Sequence, residues 1–61
     1  MKKAFVFLAN GFEEIEALAT VDILRRAGIT TTTVSITSSL QVTGAHGVEV
    51  KADTIFSDNK Y

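Results

Sequence analysis

Cysteine is absent from this sequence of 61 residues. Without it, the chain can form neither a disulfide framework nor a thiolate metal site. The single histidine, His46, cannot organise a zinc site by itself. An excess of either charge is also missing, since six basic residues oppose seven acidic ones and the net charge is −1. We therefore expect no nucleic-acid partner and no anionic membrane surface as a partner.

A long apolar run is missing as well. Two lysines before apolar residues resemble the start of a signal peptide, but the run 4–9 is short and acidic residues follow it at once. A secretory signal needs roughly 7–15 apolar residues, and a membrane span needs ~20. The sequence therefore predicts a cytoplasmic protein that does not enter a membrane.

The residues that are present predict a strand, a helix and a second strand. Residues 4–9 are continuously apolar, which is typical of a central strand buried on both faces of a parallel sheet. Apolar residues recur at three- and four-residue steps over 13–27, which predicts a helix with Gly28 just past its end. The β-branched residues of 29–37 predict the second strand. This order implies a right-handed parallel crossover.

The remaining third of the chain predicts a hairpin. Strand-like pieces at 40–43 and 48–51 flank two glycines, Gly44 and Gly47. The segment 53–61 predicts either a short turn of helix or an irregular lead-in.

One helix cannot cover both faces of the predicted sheet. With Phe5 and Phe7 in the first strand, one face would stay wet. At about 25 cal/mol per Å² of apolar surface, this loss amounts to roughly several kcal/mol, comparable with the stability of a small domain. We therefore expect residues 1–61 to be part of a single domain that another polypeptide segment completes. An obligate dimer that seals the sheet is the alternative.

Three glutamates, Glu13, Glu14 and Glu16, crowd the first turns of the predicted helix. The helix dipole stabilises acidic residues there by about 0.3–1 kcal/mol each, and this effect alone would explain Glu13 and Glu14. Asn10 followed by Glu13 also resembles a capping arrangement. Glu16 lies just beyond the carboxyl end of the first strand, where open α/β sheets bind ligands. A partly desolvated carboxyl there could shuttle a proton, so catalysis and helix stabilisation both stay open for Glu16.

Several weak motifs follow one another in a specific order. An apolar strand, a small loop, an acidic run, a helix end and a β-branched strand occur in KAFVFLANGFEEIEALATVDILRRAGITTTTVSI, and VTGAHGVEVKAD follows. This ordered combination resembles the amino-terminal end of the ThiJ/PfpI family, in particular its small dimeric branch, which contains the parkinsonism-associated protein deglycases. The resemblance extends to Tyr61 and covers essentially the whole chain.

The resemblance implies a fold class and a site. Residues 1–61 would form the amino-terminal β-α-β and hairpin portion of a flavodoxin-like α/β parallel-sheet sandwich. The family's nucleophile is a cysteine at a strained strand-to-helix elbow, so a carboxy-terminal remainder, as a second chain or segment, would have to supply it. The position of Glu16 carries the family's acidic residue, which hydrogen-bonds the reactive sulfur. Gly11 lies in the loop that lines the pocket, where a side chain would crowd the substrate.

The resemblance also implies an activity for the completed protein. A cysteine thiolate would attack a small α-oxoaldehyde or a glycated adduct, and Glu16 would move the proton, as in a glyoxalase or deglycase. No metal and no organic cofactor is needed. A redox sensor, a holdase chaperone, an amidase and a protease are alternatives within the family. The 61 residues alone are not expected to be an enzyme.

A homodimer is a further implication of the resemblance. The matching helix lies at a dimer interface, which makes Ile15, Asp22 and Arg26 candidate interface residues. Asp22 is spaced to pair with Arg25 or Arg26 on the helix surface, and plain surface pairing is the alternative. His46 takes a position where relatives often carry an arginine that reaches across the dimer, so it is a candidate substrate-binding residue. An exposed loop histidine is the alternative.

Two other classes of strand-helix-strand protein fit the sequence less well. A receiver domain needs paired aspartates after the first strand and a later phospho-acceptor aspartate, whereas this chain has Asn10 and then glutamates within the helix. A dinucleotide-binding fold needs a G-x-G-x-x-G motif after the first strand, and the sequence lacks one.

Overall fold

A computed structural model describes residues 2–58. The elements, in chain order, are β1 (Lys3–Leu8), α1 (Glu14–Arg26), β2 (Thr30–Ser35), β3 (Gln41–Thr43), β4 (Glu49–Lys51), β5 (Thr54–Ile55) and a 3-10 turn (Phe56–Asp58). The predicted strand-helix-strand unit followed by a hairpin is therefore confirmed. Residues 59–61, at the end of the predicted turn or lead-in, lie outside the described residues.

Two sheets are formed. β2 lies at the centre of a parallel sheet of order β1-β2-β5, while β3 and β4 form a separate antiparallel ribbon. β1 pairs with β2 from Lys3 opposite Thr30 to Leu8 opposite Ser35. β5 pairs with the last two residues of β2, also in parallel. Open parallel sheets bind ligands beyond the carboxyl ends of their strands, and the β1–α1 loop leaves β1 at that edge.

The strand β5 corrects the prediction for the segment after residue 52. Thr54 and Ile55 are a strand, and the helical turn begins only at Phe56. A strand of two residues shows no apolar periodicity, because that signal needs at least four residues. The segment becomes a strand because it pairs in parallel with the free edge of β2.

The core lies between α1, the β1–α1 loop, the hairpin and one face of the parallel sheet. Its buried members are Leu8, Val42 and Ala52, and the half-buried side chains packed against them are Val6, Phe12, Ala17 and Val50. α1 contacts both β1 and β2. The helix and this core cluster therefore lie on a single side of the parallel sheet.

The opposite face of β1 is exposed. Phe5 and Phe7 retain 45% and 50% of their exposure, while Leu8 is buried. The ring of Phe7 meets that of Phe56 edge-on, with centroids 5.8 Å apart. The continuous apolar run predicted a central strand buried on both faces. Within residues 2–58, β1 instead pairs only with β2 and its burial alternates, because one helix covers only one face.

α1 begins one residue later than predicted and without the predicted cap. Glu13 is the N-cap residue, and no side chain caps the helix. Asn10 does not serve as a cap, because its Oδ1 accepts a hydrogen bond from the backbone N–H of Thr43, at 3.1 Å. The helix ends as predicted, with Gly28 in the left-handed region at φ 81°.

Asp53 ties the end of α1 to the parallel sheet. Its Oδ2 accepts hydrogen bonds from the backbone N–H of Thr33 at 2.9 Å, the Thr33 hydroxyl at 3.0 Å and the Arg25 guanidinium at 3.0 Å. Arg25 also donates to the carbonyl oxygen of Thr31. The Thr33 N–H is the main cause that lowers the pKa of Asp53. The sequence spacing also allowed an ion pair between Asp22 and Arg25, but in the structure Arg25 pairs with Asp53.

Across residues 2–58, none of the helices combines the length and the apolar character that crossing a bilayer requires.

Candidate functional site

The loop after β1 packs against the hairpin. Gly11 donates its backbone N–H to the carbonyl oxygen of Thr43 at 2.8 Å, and Ala45 donates its own to the carbonyl oxygen of Phe12 at 2.8 Å. Gly11 has φ 89°, a conformation that L side chains rarely adopt. These bonds hold the predicted pocket-lining loop in one position at the carboxyl edge of the sheet.

Glu14 is the buried carboxylate of this region, with 7% of its surface exposed. Its Oε2 accepts hydrogen bonds from the backbone N–H groups of His46, at 2.7 Å, and Val48, at 3.3 Å. Its Oε1 lies 2.9 Å from Nδ1 of His46. The first residue of α1 therefore anchors residues 44–48, which we call the hairpin loop.

A glycine at position 44 makes room for this anchor. A Cβ atom there would lie 2.4 Å from both Cγ and Cδ of Glu14, closer than real Cβ contacts allow. Gly44 is buried, whereas Gly47 has open space around it and φ 83°. The two glycines of the hairpin loop thus serve different purposes: one admits the carboxylate and the other allows the turn.

The contacts between Glu14 and His46 shift the pKa of both groups. The hydrogen bond from His46 is the main cause that lowers the pKa of Glu14 from 4.5 to about 2; the backbone donors add to it, and desolvation only partly opposes it. The same bond, and then the charges of Glu14 and Glu13, raise the pKa of His46 above 6.5. The two side chains therefore favour an ion pair.

The imidazole of His46 is otherwise exposed, since 75% of the side chain is accessible. Nδ1 faces Glu14, and Nε2 has no hydrogen-bond partner among residues 2–58. A histidine whose Nδ1–H donates to a carboxylate has a fixed tautomer and offers Nε2 to a ligand. This arrangement can donate or accept a proton at Nε2.

Glu16 lies in the first turn of α1, after the carboxyl end of β1 as predicted, but its side chain is exposed. Its carbonyl oxygen accepts a hydrogen bond from the Thr20 hydroxyl at 2.7 Å. Residues 2–58 therefore do not supply the partial desolvation that the sequence predicted for Glu16. The catalytic role of Glu16 stays a prediction.

The three candidate interface residues lie on an exposed face of α1. Ile15 is 85% exposed. Asp22 pairs with Arg26 through Oδ2 and Nε at 3.0 Å, with the two side chains 60% and 79% exposed. Positions 15, 22 and 26 are separated by seven and four residues, so they lie on the same face of the helix. Their role at an interface stays a prediction.

An open groove of about 410 Å³ lies along the hairpin. Its lining residues are Ser39, Leu40, Gln41, Glu49, Val50 and Lys51. None of the candidate site residues lines it, so it is separate from the site. Within the part of the chain that the structure describes, no three side chains of His, Asp or Glu come together as a metal site.

The helix dipole, which the sequence favours as the explanation for Glu13 and Glu14, does not by itself explain Glu14. In the structure, Glu14 bonds to residues more than thirty positions away in the sequence. Local spacing cannot show such a contact. The sequence offers a weak signal in Gly44 and His46 of the hairpin loop, because a glycine can mark a close approach of another group.

Several known proteins have sequences related to this chain. Residues 2–61 match the profile of the DJ-1/PfpI family. Protein DJ-1 homolog B of Arabidopsis thaliana is 39% identical over 57 residues, which are 93% of this chain and 13% of that protein. The uncharacterized protein SAV1875 of Staphylococcus aureus is 36% identical over 59 residues, 97% of this chain and 34% of that one. The chain thus spans between 13% and 34% of the length of these relatives.

Solved structures show the same fold. The DJ-1 superfamily protein STM1931 of Salmonella typhimurium superimposes with a TM-score of 0.92 at 45% identity, over 95% of this chain and 31% of that chain. Toxoplasma gondii DJ-1 has a TM-score of 0.92 at 38% identity, over 100% of this chain and 35% of that chain. These similarities confirm the flavodoxin-like α/β class and the resemblance found in the sequence. The chain belongs to the DJ-1/PfpI family.

Proposed function

We propose that these 61 residues are the amino-terminal part of a longer, cysteine-dependent enzyme of the glyoxalase or deglycase type. The chain spans about a third of the solved family members that it matches. In the proposal, the remainder of the protein supplies the cysteine that this sequence lacks. Its substrates are small α-oxoaldehydes such as methylglyoxal, or the corresponding glycated adducts.

Two solved relatives support a reactive cysteine. The Salmonella structure is of a mutant in which a cysteine is replaced by alanine. The Toxoplasma structure is of the oxidized protein. A thiolate that is easily oxidised is also a good nucleophile, because both properties follow from a thiol that is ionised and accessible.

The observation that carries the proposal is the position of Glu16. It lies in the first turn of α1, at the carboxyl edge of the parallel sheet, with its side chain accessible to a group from outside these residues. A neutral Glu16 would donate a hydrogen bond to the sulfur of the incoming cysteine. This contact would stabilise the thiolate and place a proton carrier beside the substrate.

The proposed reaction begins with addition of the thiolate to the aldehyde carbon, while the neutral Glu16 gives its proton to the aldehyde oxygen; this step forms a hemithioacetal and leaves Glu16 ionised. The Glu16 carboxylate then accepts the proton from the former aldehyde carbon and returns it to the neighbouring carbonyl carbon, as the proton of the hemithioacetal hydroxyl passes to the neighbouring carbonyl oxygen. The product of this transfer is a thioester of a 2-hydroxy acid. Water hydrolyses the thioester, releases the hydroxy acid and restores the thiol. The overall change is internal redox plus hydration, so the step requires no external oxidant and no cofactor.

The remainder of the protein would also cover the exposed face of the parallel sheet. The exposed face of β1, with Phe5 and Phe7, is the surface that the remainder of the chain would cover. The exposed face of α1 with Ile15, Asp22 and Arg26 would form a homodimer interface. The cytoplasm is the proposed location.

Consumption of methylglyoxal by the purified full-length protein tests the proposal. We expect turnover in the parent and a loss of about 10²–10⁴-fold in kcat in Glu16→Gln, the range typical of a missing general acid–base group. Glu49→Gln, which changes an exposed carboxylate of the hairpin, is the matched control and should keep the parent rate. Parent-like turnover in Glu16→Gln would remove Glu16 from the mechanism.

A redox sensor is the second candidate, favoured by the oxidized state of the Toxoplasma relative. Glu16 would then donate a hydrogen bond to an oxygen of a cysteine sulfinate. Intact mass after exposure to peroxide separates the two functions. A gain of two oxygens on one cysteine, together with no consumption of methylglyoxal by the reduced protein, would support the sensor and exclude the enzyme.

A further inference from the structure

Glu14 takes no part in the proposed reaction, although it is the buried carboxylate next to the proposed site. Its exposure is 7%, and every acceptor bond that it makes to the hairpin goes to His46 or Val48. Two of these bonds come from main-chain N–H groups and fix the path of the hairpin loop. The third holds a side chain, the imidazole of His46.

The geometry of the loop depends on this carboxylate. The backbone N–H groups of His46 and Val48 both donate to Oε2 of Glu14, and Oε1 is left to the imidazole of His46. Gly44 provides the space that the carboxylate fills. The backbone N–H of Ala45 donates to the carbonyl oxygen of Phe12, so the hairpin loop is also bonded to the loop between β1 and α1. His46 is therefore held on a fixed backbone beside the proposed pocket wall.

We propose that Glu14 is a positioning residue that holds His46 with Nδ1 engaged and Nε2 exposed, so that Nε2–H donates a hydrogen bond to a carbonyl oxygen of the α-oxoaldehyde. The identity of the ligand rests on the proposed function. The positioning of His46 by Glu14 rests on the distances alone.

The charge on His46 decides whether Nε2 can donate. With Nδ1–H given to Glu14, a neutral ring has a lone pair at Nε2 and can only accept there. A protonated ring donates from both nitrogens. The charged groups that act on the ring are Glu14 and Glu13, both at the start of α1, and both favour protonation. Glu49, the carboxylate of the hairpin itself, is bonded to Gln41 across the ribbon.

A neutral dicarbonyl suits this arrangement better than an anion does. The two glutamates at the start of α1 outnumber the single cation on His46, so an anionic ligand would meet a net negative charge. A carbonyl oxygen needs only a directed donor. The proposal therefore assigns His46 to the carbonyl group of the substrate rather than to a carboxylate.

The first test is nitrogen-15 NMR of the histidine rings in the full-length protein, assigned by a His46→Gln variant. In the parent we expect the His46 ring to titrate above pH 6.5 and its neutral form to carry the proton on Nδ1. Glu14→Gln should lower the titration midpoint, because it removes the main cause that raises the pKa of His46, while Glu49→Gln should leave the midpoint in place. A neutral ring protonated on Nε2, or an unchanged midpoint in Glu14→Gln, would overturn the positioning role. The parent spectrum decides the tautomer even where Glu14→Gln does not fold.

The second test is the pH profile of KM for methylglyoxal. In the parent, KM should rise by about 3–10-fold as the pH passes the His46 midpoint measured by NMR, as expected for one lost hydrogen bond, while kcat changes little. His46→Gln should have no such rise, and Glu14→Gln should move it to lower pH. The same rise in His46→Gln would overturn the contact with the carbonyl group.

The two tests separate two failures. A parent protein that does not consume methylglyoxal refutes the proposed function, and the NMR spectra then decide the positioning role by themselves. Turnover that depends on Glu16, combined with a His46 midpoint that ignores Glu14, refutes the positioning role and keeps the proposed function.

Discussion

Two carboxylates, Glu14 and Asp53, each accept several hydrogen bonds, and their difference lies in the partners. Glu14 binds two main-chain N–H groups and a histidine, and it is 7% exposed. Asp53 binds one main-chain N–H group, the Thr33 hydroxyl and Arg25, and its side chain is 49% exposed. Glu14 thus connects the site loops through a titratable partner, and Asp53 connects α1 to the sheet through partners that do not titrate near neutral pH.

The two carboxylates make similar numbers of hydrogen bonds, but their contacts depend differently on pH. Arginine keeps its charge at every pH a protein meets, so the Asp53 connection is constant from weak acid upward. Histidine can lose its charge, and the contact with Glu14 raises the pKa of His46, so the Glu14 connection weakens as the pH rises through that raised pKa. The scaffold carries the constant connection and the candidate site carries the variable one.

The largest expected effect comes from filling the space beside Glu14. Gly44→Ala places a Cβ atom 2.4 Å from the Glu14 side chain, and Glu14 cannot move away without losing its three hydrogen bonds. We expect a loss of about 1–3 kcal/mol in the free energy of unfolding of the full-length protein, typical of overpacking. Urea unfolding measures it.

The same substitution in a Glu14→Ala variant shows whether the loss of stability in Gly44→Ala comes from the contact with Glu14. In Glu14→Ala, Gly44→Ala should cost much less, because the clashing atoms are gone, and the double-mutant cycle should show strong coupling. Equal costs in the two backgrounds would mean that the Glu14 contact does not explain why position 44 is glycine.

A smaller effect is expected from pH. The pKa of Glu14 is lowered from 4.5 to about 2, so its contribution is present above pH 4.5 and is lost as the pH falls towards 2. The pKa of His46 is raised above 6.5, so its contribution is complete below pH 6.5 and is lost as the pH rises through the folded value. Their pair should therefore stabilise the fold most between pH 4.5 and 6.5, as seen in the melting temperature.

The alkaline side of this profile distinguishes the two carboxylates. Asp53 has a lowered pKa, so its contribution is present above pH 3.8 and is lost only in acid. His46→Gln should remove the alkaline loss of stability, while Asp53→Asn should keep it. An unchanged alkaline loss in His46→Gln would show that another group causes it.

The smallest effect is expected at Arg25. Arg25→Gln removes the ion pair with Asp53, but both side chains are about half exposed and Thr33 still donates twice. We expect a loss of about 0.2–1 kcal/mol in the free energy of unfolding, weaker in high salt. A loss several times larger, insensitive to salt, would mean that Arg25 acts mainly through its bond to the carbonyl oxygen of Thr31.

Long periodic segments were predictable from the sequence. The helix expected over 13–27 is Glu14–Arg26, and the second strand expected over 29–37 is Thr30–Ser35. The hairpin strands lie within one residue of their predicted bounds. In each of these segments several residues favour the same secondary structure, so the local sequence was enough to predict it.

Short or shared signals were not predictable. The pattern Asn10 to Glu13 fits a helix cap, yet Asn10 bonds to Thr43, because the hairpin lies close enough to compete. The exposure of Ile15 and the burial of Glu14 also reverse the simple expectation from polarity. Both follow from what packs against α1, and a helix pattern alone does not specify its neighbours.

By itself, the sequence determined the strand-helix-strand unit, the hairpin, the family and the absence of a nucleophilic cysteine from these residues. Apolar spacing, turn glycines and composition act locally, so they can be read along the chain. Only the tertiary structure decided which glutamate is buried, that His46 is its partner and that Gly44 admits it. Those contacts join residues about thirty positions apart, and the free energy of a buried carboxylate depends on donors that only folding brings to it.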